Sequence, residues 1–478
     1  MKFAAKHTPS PLSKYRLNNP LVAGTIMLTL TGLVSRFIGF FYRIFLSRLF
    51  GAEGMGIYQL TSPILVLTFS ITVAGMQTAI SKFVAGETTT RDYKSSAEHL
   101  ITGFIISMTL SILCTIGIYQ NADFLASTFL LEPRTAPLLR IIAFSIPMAT
   151  VHSCINGYFY GVRKTAIPAI TQLVEQIVRV GSVFLIYEIG QSRGLTPTIN
   201  FAVLGLVIGE SAAMVVSIIA IRHRFYSLSL ARHAKSLDDW ADPQPAFLTK
   251  KNLLLSHQRF MDSGRRLISL AAPLSLNRIV INSLHSIEAI YIPNRLMASG
   301  LDNSTALGVY GVLTGMALPL ILFPSAITNS ICVLLLPIVS EADAASNTTT
   351  IKKAVRKSIQ LGALLGGIFT GLFLLFGKQL GIVLYQNSLA GSFMITLSFL
   401  CPFMYIASTL SSILNGMGKT GLTFAFSTVS LLVRLAFVFW ALPIWGIQGY
   451  LWGLLVSQFL QTGLCMFAVR KFYSPFRT

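Results

Sequence analysis

Runs of about twenty consecutive apolar residues recur along almost the whole chain, and no other feature limits its fold so severely. A bilayer core holds no water to satisfy backbone N–H and C=O groups, so a chain built of such runs crosses it as α-helices that close their own hydrogen bonds. Taking each run as one span gives twelve, at residues 22–46, 56–82, 98–119, 138–161, 166–188, 198–221, 267–292, 306–339, 358–377, 392–417, 421–442 and 446–469. Composition agrees: 53% of residues are hydrophobic and 11% charged, whereas soluble domains carry about a quarter charged residues. The chain is therefore expected to be an all-α polytopic membrane protein.

A formal net charge of +20 would fit a nucleic-acid partner if the basic residues clustered on a folded polar surface. They lie instead between the spans, and no nucleic-acid partner is expected. With the N-terminus inside, twenty-six Lys and Arg fall in cytoplasmic segments and six outside (Arg48, Arg134, Arg140, Arg193, Arg295, Lys378). That asymmetry predicts cytoplasmic N- and C-termini. The five cysteines, Cys114, Cys154, Cys332, Cys401 and Cys465, all lie in apolar segments without CxxC spacing, as small buried hydrophobes do. The basic, polar opening of the chain runs too long for a secretory n-region and reads as a cytoplasmic lead-in.

One extended polar stretch, residues 223–266, divides the spans six and six. The expected organisation is a cytoplasmic N-terminal segment (1–20), an N-terminal six-helix lobe (21–222), a cytoplasmic linker (223–266), a C-terminal six-helix lobe (267–470) and a cytoplasmic tail (471–478). The halves repeat. Pro147, Gly161, Lys164, Thr165 and Arg179 match Pro402, Gly416, Lys419, Thr420 and Arg434 at a constant offset of 255. Upstream, Gly56-Ile57-Tyr58 matches Gly308-Val309-Tyr310 at 252, Glu87 matches Glu341 at 254, and Ser35-Arg36 pairs with Asn277-Arg278 at 242. Downstream, Gly205 matches Gly453 at 248. Each half starts and ends inside, so the repeat is parallel, about an axis along the membrane normal.

Arg36, Arg43, Arg179, Arg278 and Arg434 fall within spans, against three acids there, Glu175, Glu210 and Glu288. An arginine near the bilayer centre costs about 3 kcal/mol on insertion scales, so each should face protein or a wet cavity. Gly32, Arg36, Gly39 and Arg43 are spaced four, three and four apart, which puts a small, cationic stripe on one helix face. Glu175 and Arg179, four apart, can neutralise each other. The aligned partner of Glu175 is Ser430, which leaves Arg434 without an acid at that place. The net positive interior points to an anionic ligand held by Arg36 and Arg434, with Arg278, Arg179 and Arg43 in support. Arg43, near its helix end, has snorkelling as its competing role, and Glu210 and Glu288 are candidates for ion coupling. His152 and His285 lack metal-ligand neighbours at helical spacing and read as hydrogen-bonded core residues, so no metal site is expected. NGMGKT at 415–420 lacks the first glycine of a P-loop, which would fall at Ile413, and reads as a basic turn between spans. No HExxH, GxSxG or paired catalytic carboxylates appear, so neither an enzyme nor a cofactor is expected.

The run GLVSRFIGFFYRIFLSRLFGAEGMGIYQLTSPILVL, followed by AISKFVAGE, resembles the stage V sporulation protein B branch of the polysaccharide and lipid-linked oligosaccharide exporters. LGVYGVLTGMALPLILFP and LLPIVSEA in the second half resemble the same branch. The resemblance implies two pseudo-symmetric six-helix lobes, MATE-like, facing each other across a cavity that opens alternately to either side of a bacterial plasma membrane. It implies a flippase for an anionic lipid-linked cell-wall or polysaccharide precursor, lipid II-like. Arg36, in the S-R-x-x-G pattern, matches the first-helix arginine of lipid II flippases. The chain departs from those flippases in having no arginine in spans 56–82 and 306–339 and no two extra C-terminal helices. The expected partner is the lipid-linked oligosaccharide itself, with cell-wall synthesis enzymes as further candidates and the chain acting as a monomer. A cation-coupled multidrug exporter and a non-transporting scaffold for wall synthesis remain alternative readings of the same spans.

Overall fold

The computed structural model describes residues 20–89, 92–194, 196–238 and 257–473. Nearly all of the expected N-terminal segment, the centre of the linker and most of the tail lie outside these residues. Among the described residues every regular element is helical. Ten helices are long and apolar enough to cross a membrane, and twelve spans result when two bent pairs are each counted as one.

In chain order the principal helices are α1 (Pro20–Leu60), α2 (Ser62–Phe69), α3 (Gly75–Thr89), α4 (Tyr93–Gln120), α5 (Ala136–Ala143), α6 (Ser145–Gly161), α7 (Ala166–Ser192) and α8 (Asn200–Asp238). The second half contributes α9 (His257–Ala298), α10 (Asn303–Gly311), α11 (Ser325–Ala344), α12 (Thr348–Tyr385), α13 (Ser388–Leu397), α14 (Leu400–Gly416), α15 (Thr420–Ala436) and α16 (Ile447–Tyr473). The first and second spans form one helical stretch that breaks at Gly51, whose φ of 68° favours glycine. The eighth span, read as one run over 306–339, is divided at Pro324. Two π-helical turns, Ser70–Ala74 and Val312–Ala317, interrupt the second and eighth spans.

The linker is shorter than its polarity implied. Helix α8 continues past residue 222 to Asp238 and α9 begins at His257, before residue 267. Loss of hydropathy marks the membrane boundary but does not end a helix, and 222–238 holds no Gly or Pro that would.

The repeat survives in backbone detail. The fourth span bends by 44° at Phe144 and the tenth by 53° beside Phe399, 255 residues later. The following helices end at Gly161 and Gly416, and left-handed residues follow at Arg163 (φ 59°) and Gly418 (φ 72°), again 255 apart. A Cβ on Gly161 would meet Ser81 and Val84, and one on Gly416 would meet Leu336 and Val339. Asp92 accepts from the backbone N–H of Ser95 at the start of α4, as Asn347 accepts from that of Thr350 at the start of α12.

The lobes meet along two seams. In one, the chain after Gly51 crosses α10 so closely that a Cβ on Gly56 would lie 2.1 Å from the carbonyl oxygen of Leu307, and one on Gly311 would lie 2.1 Å from that of Ala52. Small residues permit such backbone approach where lipid offers helices little hydrophobic drive to associate. Buried Leu46, Met55, Leu60, Leu307, Tyr310 and Leu313 pack around this crossing. In the other, α3 and the Ser70–Ala74 turn lie along α9, with Gly75 against Ala271 and Ser275.

Candidate functional site

Five in-span arginines occupy two kinds of environment. On α1, Arg36 is exposed and its Nη1 donates to the Ser325 hydroxyl at 3.3 Å. One turn pair later Arg43 is half-buried and its Nη1 donates to the Thr314 carbonyl oxygen at 3.5 Å. Both partners belong to the eighth span, in the opposite lobe. Phe323 packs between them and α1, its ring centroid 4.8 Å from that of Phe37 and 5.5 Å from that of Phe40. Arg278 on α9 mirrors Arg36: it lines a cavity of about 370 Å³ with Phe69, Ser70, Asn282 and Glu210, and Asn282 Nδ2 donates to the Ser70 hydroxyl at 2.7 Å. The first helix of each lobe thus presents cations toward the second helix of the other. Among the described residues, no carboxylate lies within ion-pair distance of Arg36, Arg43 or Arg278.

Arg179 and Arg434, related by the repeat, sit inside their lobes and are neutralised. Arg179 Nη2 lies 2.5 Å from Glu175 Oε1, the pair their spacing predicts, and 3.4 Å from Glu210 Oε1 on α8. Glu210 also meets His152 Nε2 of α6 at 2.7 Å. Arg434 has an acid after all: Glu288 on α9, 2.5 Å from its Nη2. The expectation that it lacked one considered only its own helix, and the crossing of α9 over α15 supplies the partner. Buried Glu288 also accepts from the Tyr450 hydroxyl at 2.8 Å, while Arg434 Nη2 donates to His285 Nδ1 at 3.1 Å. Glu210 and Glu288, the two coupling candidates, are therefore both held in ion pairs.

His152, Glu175 and Glu210 offer ligand atoms within 4.8 Å of one another, a spacing that could hold a metal ion. Arg179 Nη2 is ion-paired with both of these carboxylates. His285 has Glu288 three residues on, 3.5 Å away, so the sequence-based view that it lacks neighbours at helical spacing is corrected, and His152 finds its neighbours on other helices.

A third polar group closes the Gly56–Gly311 seam and was not anticipated. Arg134 bridges Glu53 and Glu132, each at 2.6 Å. Across the lobes, Ser304 donates to Glu53 at 2.7 Å and Asn303 donates to Glu132 at 3.0 Å. Burial would raise the Glu132 carboxyl, but the bonds from Arg134 and Asn303 outweigh it and hold the group below the usual carboxylate range. The only signal in the sequence was the charge at 53, 132 and 134 between spans, beside Asn303-Ser304, which by itself resembles a common surface pattern.

Residues 21–342 match the family described as polysaccharide biosynthesis protein, and residues 288–440 match the family MatE. The chain is 27% identical over 450 residues to Stage V sporulation protein B of Bacillus subtilis (strain 168), covering 94% of this chain and 83% of that protein. Its fold matches the inward-facing conformation of a multidrug resistance MATE family transporter of the MOP superfamily with a TM-score of 0.70 at 15% identity, covering 95% and 98% of the two chains. It matches the lipid II flippase MurJ, inward closed conformation, with a TM-score of 0.66 at 15% identity, covering 93% and 87%.

Proposed function

The chain belongs to the polysaccharide biosynthesis protein family, and on that premise we propose that it is a flippase carrying an anionic lipid-linked cell-wall or polysaccharide precursor from the inner to the outer leaflet of a bacterial membrane. The observation that carries the proposal is the sorting of charges. Arg179 and Arg434 are neutralised within their lobes, and the in-span arginines that have no carboxylate within ion-pair distance among the described residues, Arg36, Arg43 and Arg278, all lie on the first helices of the lobes and face across the seams. Guanidinium forks bind phosphate oxygens through paired, charge-assisted hydrogen bonds. The diphosphate would bridge these arginines while the sugar occupies the space between lobes and the lipid tail stays in the bilayer. The termini and linker lie in the cytoplasm, and the Gly56–Gly311 seam with its polar group is the outer seal of an inward-open state. Arg179 and Arg434 then serve as internal struts, a different role from the direct substrate contact their sequence position invited.

An inside-negative potential favours outward movement of an anion by about 2.3 kcal/mol per charge per 100 mV. Glu210, tied to His152, and Glu288, tied to His285, are the groups through which an ion or proton gradient would add to that drive. A cation-driven drug exporter needs acids free to meet its substrate, and Glu175, Glu210 and Glu288, the carboxylates deep within the spans, are each paired with an arginine or histidine. The test is translocation of a fluorescent lipid-linked diphosphate sugar in vesicles holding the purified chain. Arg36→Ala and Arg278→Ala should each cut the rate at least tenfold, the worth of one charge-assisted bond of about 1.5–3 kcal/mol. Unaltered rates in both would remove the basis of the assignment and leave a scaffold role.

A further inference from the structure

His285 completes the repeat of the cationic stripe. At the offset of 242 that pairs Arg36 with Arg278, Arg43 pairs with His285. Arg278 and His285 are seven residues apart on α9, as Arg36 and Arg43 are on α1, so each first helix carries two basic groups on one face. The His285 side chain is 50% exposed, far more than Arg434 at 20% or Glu288 at 6%. It is the accessible end of a buried chain that runs Tyr450, Glu288, Arg434, His285.

We propose that His285 is a further contact for the anionic head group, and that its protonation controls the strength of binding; this rests on the flippase reading above. Nδ1 accepts from Arg434 Nη2 at 3.1 Å, and only a ring without a proton there can accept. Arg434 therefore fixes the neutral tautomer and leaves Nε2–H as the free donor. When the ring is protonated, Nδ1–H faces an arginine donor and must turn to the acceptor beside it, Glu288 Oε2, 3.5 Å away. Glu288 then shares two cations, Arg434 Nη2 is released from the imidazole, and the site gains a full positive charge beside the arginines. The groups that face the ring are Glu288 on its own helix and Arg434 on α15, with Tyr450 on α16 and Tyr310 on α10 behind the carboxylate. Segments Ser62–Phe69 and Ser70–Ala74, packed on α9 from the other lobe, bring no titratable side chain. By linkage, an anion that prefers the protonated site takes up a proton as it binds.

The experiment is equilibrium binding of a short polyprenyl diphosphate N-acetylglucosamine to the detergent-purified full chain. Such a diester keeps a constant charge across the range, so any pH dependence belongs to the protein. Between about pH 5.5 and about pH 8, wild type should lose about tenfold in affinity. His285→Gln, whose amide oxygen still accepts from Arg434, should bind at the weak, high-pH level throughout. His285→Arg should bind tightly throughout. Arg36→Ala should weaken binding at every pH and keep the slope. A His285→Gln protein that retains the wild-type slope overturns this proposal alone. Absence of binding by wild type at both pH values overturns the flippase reading beneath it.

Discussion

The buried pair of Glu288 and Arg434 tests the assignment of Arg434 as a strut. Glu288 is 4% exposed and accepts from Arg434 and Tyr450. Replacing it with Gln leaves the Arg434 guanidinium in the lobe interior without a counter-charge, and breaking a buried pair from one side costs about 3–5 kcal/mol. The amide can still bond to Tyr450, so the lower end of that range, about 3 kcal/mol, is the expected loss. Arg434→Gln strands the carboxylate in the same way and should cost about as much. In the double variant neither charge remains and the two amides can bond each other, so its loss should be about 3 kcal/mol rather than the sum. The assay is equilibrium unfolding in mixed micelles of rising dodecyl sulfate content, with all four proteins in one double-mutant cycle. Losses that add to within about 0.5 kcal/mol, the behaviour of independent sites, would refute the pairing. A double variant that folds and still flips a lipid-linked sugar would also place Arg434 outside direct substrate contact.

Further outcomes follow from the outer seam and the buried thiols. Gly311→Val would force the lobes apart, because even its Cβ would lie 2.1 Å from the Ala52 carbonyl oxygen, so a cysteine placed at Ser304 should react with a maleimide at least several-fold faster than in the parent. The Glu132 carboxyl is held below its ordinary value, so its contribution to the seal is complete above the unfolded value of about 4.3 and fades as pH falls through the lower folded value. Labelling at Ser304→Cys should accordingly stay slow near neutrality, and adding Glu132→Gln, which mimics the protonated carboxyl, should quicken it at the same neutral pH. Of the native cysteines, Cys154, Cys401 and Cys465 are buried while Cys114 and Cys332 are partly accessible. A maleimide applied to the folded chain should therefore modify only the latter two, as mass spectrometry of the intact protein would read.

The all-helical, many-spanning architecture and the two-fold repeat were legible in the chain alone, because hydropathy and offset are properties of local sequence that the bilayer enforces span by span. The bends at Phe144 and Phe399 and the close contacts of Gly161 and Gly416 fall at the same offset of 255 that Pro147 and Pro402 had marked. The cationic stripe of Arg36 and Arg43 was legible for the same reason, since helical periodicity puts residues seven apart on one face. What an arginine meets on that face was not. The pairing of Arg434 with Glu288 joins residues 146 apart, and that of Arg179 with Glu210 joins residues 31 apart on a different helix. Choices of this kind depend on where helices cross and by how much they are rotated, which packing of the whole bundle decides. The tertiary structure alone therefore divided five similar arginines into two ion-paired within the lobes and three, Arg36, Arg43 and Arg278, that face between them with no carboxylate in ion-pair distance among the described residues.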